Sequence, residues 1–263
     1  MADAVPGAYV DVDTARATAG LRLVVTCGIP GPWVEAAKGI LHVKRLDHVR
    51  VHHMAGEENA GIVAWTGCNN APVAIFDDEP ARAGWADILA LAERLAPRPA
   101  LIPQDEGDRA LMLGMCHALC GEDGFGWNRR LLYFAAAEQA LAQANVVSDR
   151  AGFDRMRGKY GSGDVARARG RSLSILVLLA DRLRAQHARG FDTYFDSGLT
   201  ALDIYSATFM AMLRPLPEDV CPMGPVLRAA YTADDPEILA AAAPLLAHRD
   251  IVYQRHLELP LRL

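Results

Sequence analysis

The sequence predicts an α/β domain followed by an all-helical domain, and three observations predict it. Short apolar runs bounded by Gly and Pro alternate with helical-period segments in the first third of the chain. A two-proline break, RPALIPQDE, interrupts the pattern at Arg98–Glu106, and only helical periodicity follows it. The boundaries read as 1–20 for a loose N-terminal arm, 21–97 for the α/β domain, 98–106 for a linker and 107–263 for the helical domain. A length of 263 residues suits two domains, each able to bury its own core.

Leu21–Thr26 (LRLVVT) is an apolar, β-branched run closed by Cys27-Gly28 and Pro30-Gly31-Pro32, so it reads as a buried strand. Trp33–Leu41 (WVEAAKGIL) has helical spacing, and Pro32 suits a helix start because its missing N–H is not needed there. Asp47–His53 (DHVRVHH) supplies the parallel strand of a right-handed βαβ unit, and a polar loop follows. The apolar run Val73–Phe76, an acidic turn at Asp77–Pro80 and a helix over Trp85–Leu95 then give a ββα order. Beyond the linker, helices are expected over Gly107–Leu119, Trp127–Asn145, Asp164–His187, Thr200–Leu213 and Asp235–Ala247, all rich in Ala and Leu.

Thr200-Ala201-Leu202-Asp203 is a capping box: Asp203 reaches back to the Thr200 amide while Thr200 accepts from the amide three residues on. Leu199 and Ile204 take the positions of a hydrophobic staple.

Composition narrows the function classes. Hydrophobic residues make up 51% and charged residues 22%, the balance of an ordinary globular protein. A net charge of -5 argues against a nucleic-acid partner, which needs a basic face. No apolar run reaches the roughly 20 residues of a spanning helix, and MADAVPGAYVDVD is acidic without a signal-peptide core, so a cytoplasmic protein with no membrane partner is expected. Five cysteines form no CxxC pair and leave one over in any pairing, the pattern of reduced thiols, with no structural zinc. Cys116 and Cys120, four apart on one helix, read as core packing ahead of a metal or redox pair. His52 and His53 point to opposite faces of a strand and so do not chelate one metal. Gly161-Ser162-Gly163 lacks the GK[ST] ending of a phosphate loop and reads as a joint between helices. Arg167, Arg169 and Arg171 spread around a helix as a solvated face.

Two stretches resemble the glutathione transferase family. APVAIFDDEPARAGWADILALAERLAPRPALIPQDEGDRA (Ala71–Ala110) is similar to its run of cis-proline, β-hairpin, helix and PxLxP connector, and SGLTALDIYSATF (Ser197–Phe209) to the capping-box helix of its second domain. The resemblance implies a thioredoxin-like first domain, a cytosolic homodimer and glutathione as cofactor. It implies that Pro72 is cis and that the Ala71 backbone pairs with the cysteinyl part of glutathione. In the family the loop after the first strand supplies a Tyr, Ser or Cys to the thiol; here Gly31 stands where a serine often precedes the proline. Thr26 and Cys27 remain as catalytic candidates, and the helix entered through Pro32 aims its amides at a thiolate. Cys27 is either a reactive thiol, as in cysteine-type members, or a structural cysteine. Gly84-Trp85 replaces the family's acidic residue and serine at the γ-glutamyl end, leaving helix amides to bind there. The resemblance places the pocket for a hydrophobic second substrate at Trp33, Met112, Met115, Cys116, Phe125, Trp127 and Arg130, residues that suit a core equally well.

Two functions stand open at this point. One is an enzyme whose glutathione thiolate attacks a hydrophobic electrophile, by transfer or by lyase or isomerase chemistry. The other is a non-catalytic carrier or interaction protein on the same scaffold, for which Gly31 and Gly84-Trp85 speak. An open, polar-walled cleft beside Ala71 favours the first, and a cleft filled by Trp33 and Trp85 the second.

Overall fold

The computed structural model describes residues 9–144, 151–161 and 163–263. The first eight residues of the arm, Asn145 at an expected helix end and Ser162 of the glycine-rich joint lie outside the described residues.

A four-stranded sheet with one antiparallel strand forms the first domain, in the order β1-β3-β2-β4. Strand β2 (Leu21–Thr26) pairs in parallel with β3 (His48–His53) and antiparallel with β4 (Val73–Phe76). Both faces of β2 are covered, which is why apolar residues fall on both of them, with Arg22 as a buried exception. Leu21, Leu23 and Val25 enter the main core, while Val24 joins Val51, Val73 and Ile75 under α1 (Val12–Ala17) and α3 (Ala60–Thr66).

The described part of the N-terminal arm is ordered against this sheet. Tyr9 and Val10 form β1 and pair in parallel with Arg50 and Val51. Asp11 then caps α1 by accepting the Thr14 N–H at 2.8 Å, and Ala15 is fully buried. The segment expected to be a polar loop after β3 contains α3, closed by Gly67 at φ +71°. The second hairpin strand shrinks to a single bridge between Ala74 and Arg82, because the chain passes directly to the Gly84 cap of α4 (Trp85–Leu95).

Helix α2 (Pro32–Val43) begins with Pro at its first position, as the sequence predicts. Its inner face packs on α9 (Ala201–Phe209), in which all nine residues are buried. Around α9 stand α5 (Glu106–Cys120), α6 (Phe125–Ala144), α8 (Val165–Ala188) and α11 (Pro236–His256), so one core runs unbroken from β2 into the helical domain. Two further helices, α7 (Ala151–Tyr160) and α10 (Pro225–Tyr231), and a 3-10 turn at Met210–Met212 complete the described elements, and α11 continues past its expected end at Ala247 despite Pro244. The capping box is present: Asp203 Oδ2 accepts the Thr200 N–H and hydroxyl, both at 2.8 Å, and Oδ1 accepts the Tyr194 N–H at 3.1 Å. No described helix is long and apolar enough to cross a membrane.

Candidate functional site

Parallel strands open their carboxyl ends to ligands in α/β sheets, and the register here places Thr26 of β2 opposite His53 of β3 at that end. A cavity of about 450 Å³ opens there, within the size range of small-molecule sites. Its first wall is Thr26, Ile29, Gly31 and the start of α2 at Pro32, Trp33 and Val34, with His53, Asn69 and Ala71. Its second wall is helical: Arg129, Arg130, Tyr133 and Phe134 of α6, Met212, and Tyr231 of α10. Helix α7 roofs the space with Arg155, Met156, Lys159 and Tyr160.

The peptide bond between Ala71 and Pro72 is cis. Pro72 itself is buried, whereas Ala71 faces the cavity, and neither its N–H nor its C=O is hydrogen-bonded among the described residues. Such free backbone groups are the exception in folded chains and accept a strand-like ligand without any particular side chain.

The start of α2 forms the next part of the wall. Gly31 is the N-cap and offers no side chain, so the first-turn amides at Trp33 and Val34 lack a side-chain acceptor. Thr26 also lines the cavity, and no hydrogen bond of its hydroxyl is found among the described residues. Cys27 is half-buried, donates its N–H to the His53 carbonyl at 3.1 Å and does not line the cavity.

Trp33 is held in place rather than filling the space. Its indole N–H donates to the Cys120 carbonyl at 2.9 Å and its ring meets the edge of Phe209 at 4.8 Å. Arg130 lays its guanidinium 4.4 Å from the Trp33 ring centre and 4.2 Å from that of Tyr160. Burial pushes the Arg130 pKa down, with Tyr160 and Tyr231 opposing that shift.

The remaining sequence-derived candidates lie elsewhere. Met112, Met115, Cys116 and Phe125 are in the main core, where helical periodicity turns them toward α9, and burial raises the Cys116 thiol well above its ordinary pKa. Trp127 stands behind the wall, edge-on to Tyr160 at 6.5 Å. Gly84 and Trp85 are separate from the cavity: Trp85 packs on Tyr205 at 5.6 Å and accepts its hydroxyl at the backbone carbonyl. The Asp87 carboxylate folds against Gly84, where a Cβ would collide with it.

His53, Asn69 and α7 line the cavity and were not among the candidates. His53 is 7% exposed, and its Nε2 is 2.9 Å from Asn69 Oδ1. Asn69 Nδ2 donates to the Glu57 carbonyl, so Oδ1 faces the imidazole and the His53 proton resides on Nε2. Burial lowers the His53 pKa, the Asn69 hydrogen bond opposes this, and Lys159 lowers it further. The ring is therefore neutral at pH 7. Helix α7 is fastened across the opening by Lys159 to the Asn69 carbonyl, Tyr160 to Asn70 Oδ1 at 2.9 Å and Arg155 to the Gly56 carbonyl. The legible signal for His53 was the parallel pairing itself, which brings the last residues of two adjacent strands together.

No protein-family model matches the sequence, and a search of curated proteins gives no match. Solved structures do match. A glutathione S-transferase from Methylobacterium radiotolerans JCM 2831, in complex with glutathione sulfonate, is 18% identical with a TM-score of 0.59, over 89% of this chain and 91% of that one. The fold is that of the glutathione transferases. A beta-etherase from Sphingobium sp. strain SYK-6 shares this glutathione transferase fold at 16% identity and TM-score 0.61, over 90% and 96% of the two chains. A glutathione S-transferase from Methylobacillus flagellatus KT with glutathione bound does so at 14% identity and TM-score 0.58, over 89% and 95%.

Proposed function

We propose that the protein is a glutathione-dependent enzyme in which the glutathione thiolate attacks an apolar electrophile. The observation that carries this reading is the unpaired Ala71 backbone on an open cavity that is also lined by Thr26 and the first turn of α2. In this reading Ala71 pairs with the cysteinyl backbone of glutathione; two solved structures of the same fold hold glutathione or glutathione sulfonate. The thiol loses its proton to solvent, and the α2 amides with the Thr26 hydroxyl stabilise the resulting thiolate. A C–S bond then forms at the electrophile, whose leaving group departs with its electron pair; in a lyase or isomerase variant the thiolate later leaves again. Phe134 and Met212 of the second wall take the electrophile's apolar body.

The rival reading, a non-catalytic carrier, is favoured by one observation: the Asp87 carboxylate sits against Gly84, where the γ-glutamyl carboxylate of glutathione would approach the α4 terminus. A disulfide-exchange variant would rest on Cys27, which is not on the cavity wall.

Initial rates with reduced glutathione and an activated aryl halide test the proposal. Thr26→Val lowers kcat/KM by roughly 10–100-fold and moves its pH profile upward, as loss of a positioned donor does, while Cys27→Ala leaves both unchanged. Activity that depends on Cys27 and ignores Thr26 contradicts this mechanism.

A further inference from the structure

The cavity wall carries four long cationic side chains, Arg129, Arg130, Arg155 and Lys159, against one carboxylate, Glu57, in a protein whose net charge is -5. Three of the four are committed. Arg129 donates to the Met212 carbonyl at 3.1 Å, Arg155 to the Gly56 carbonyl with Glu57 at 3.8 Å, and Lys159 to the Asn69 carbonyl.

Arg130 differs from them. Among the described residues it has no hydrogen-bond acceptor and no carboxylate partner, only the faces of Trp33, Trp127 and Tyr160 at 4.4, 5.6 and 4.2 Å. Stacking of this kind fixes the plane of a guanidinium while leaving its N–H groups free. A half-buried guanidinium without a counter-charge is costly, and the missing partner is one that a ligand can supply. Tyr133, one turn along the same face of α6, and Tyr231 of α10 also line the cavity, and their hydroxyls make no hydrogen bond among the described residues. Burial raises the Tyr231 pKa to about 12, so its hydroxyl remains a donor at neutral pH.

We infer that Arg130, assisted by the Tyr133 and Tyr231 hydroxyls, receives the carboxylate of a second substrate whose body is apolar or aromatic. The planar fork of an arginine matches a carboxylate with two parallel N–H···O bonds. Phe134, Met156, Met212 and Leu227 supply the apolar walls for the remainder of the molecule. This inference rests on the reading of the cavity as a glutathione and second-substrate site, and it narrows the electrophile from apolar to acidic with an apolar body. Glutathione also carries carboxylates, so the test separates the two sources.

Calorimetric titration of the full chain with cinnamate and with neutral cinnamamide, each with and without saturating glutathione, reads the preference directly. Cinnamate is expected to bind roughly tenfold or more tightly than the amide, the size of a charge-assisted hydrogen bond, with glutathione bound or absent. Arg130→Gln erases that preference and leaves glutathione affinity within about threefold. Should Arg130→Gln not fold, Tyr133→Phe with Tyr231→Phe, which keeps both rings, reduces the preference by roughly three- to tenfold. Equal binding of acid and amide overturns the inference. So does competition between cinnamate and glutathione with a tenfold glutathione defect in Arg130→Gln, which would assign Arg130 to glutathione's own carboxylate. An acid preference that depends on Arg130 in a protein that binds no glutathione supports the carboxylate site and overturns only the enzyme reading.

Discussion

Trp33 donates its indole N–H to the Cys120 carbonyl at 2.9 Å, joining the first turn of α2 to the end of α5 across 87 residues of sequence. The bond satisfies a polar group inside an apolar setting and gives the cavity a rigid wall. Gly126 makes this packing feasible: a Cβ there would stand 2.5 Å from Phe209 Cε1 and 2.7 Å from Trp33 Cη2. Neither ring can yield cheaply, since each is held by the other.

Gly126→Ala is therefore expected to destabilise the fold by about 1–3 kcal/mol through overpacking. Urea unfolding checks it, and a neutral effect would mean that Trp33 is free to move.

The buried Asp203 gathers the entry to α9. Beyond the bonds from Thr200 and Tyr194, His248 Nε2 lies 3.1 Å from Asp203 Oδ1. Thr200→Ala is expected to cost about 1 kcal/mol as the loss of a cap. Asp203→Ala is expected to cost about 3 kcal/mol, because several donors lose a charged acceptor at once. Thermal unfolding of both variants checks the order, which reversal would contradict.

Burial lowers the pKa of His48 and of His53 below the ordinary 6.5. The unfolded chain then binds more protons than the folded one between the two pKa values. Stability is complete above about pH 6.5 and falls as pH drops through the lowered values. His53→Gln, which keeps a donor toward Asn69, should flatten this acid loss. Urea midpoints measured from pH 5 to 7.5 test it, and an unchanged slope would remove His53 from the account.

Cys116, Cys120 and Cys221 are buried, and burial raises each thiol pKa, whereas Cys27 and Cys68 are half-buried. A thiol-reactive dye should label Cys27 and Cys68 in the native protein, and all five cysteines after unfolding. Native labelling of Cys116 would contradict the closed core.

Several elements were legible because local and global signals agreed. Trp85–Leu95 carries a clean apolar stripe between Gly84 and the proline-rich connector, and its helix has those bounds in the structure. Thr200 and Asp203 announced the capping box for the same reason. Helix α7 was missed because AGFDRMRGKY buries no residue fully; tertiary bonds to Gly56, Asn69 and Asn70 hold it there, and periodicity carries no trace of them. Strand β1 has two residues, too few for an alternation to show. On the cavity wall, Thr26, Pro32 and Trp33 were legible because they flank the break after the first strand, and Ala71 and Arg130 only through the family resemblance, whereas the methionines of α5 share one helical pattern with residues that face inward. Which side of α5 faced a cavity and which the core depends on where α9 lies, a long-range fact.

The most direct test of the account is a calorimetric titration of reduced glutathione into the purified protein. Saturable binding with Kd in the micromolar to low millimolar range is expected, the tripeptide being held by the unpaired Ala71 backbone and the α2 terminus. No heat of binding at millimolar glutathione would contradict the enzyme reading and leave the scaffold as a carrier.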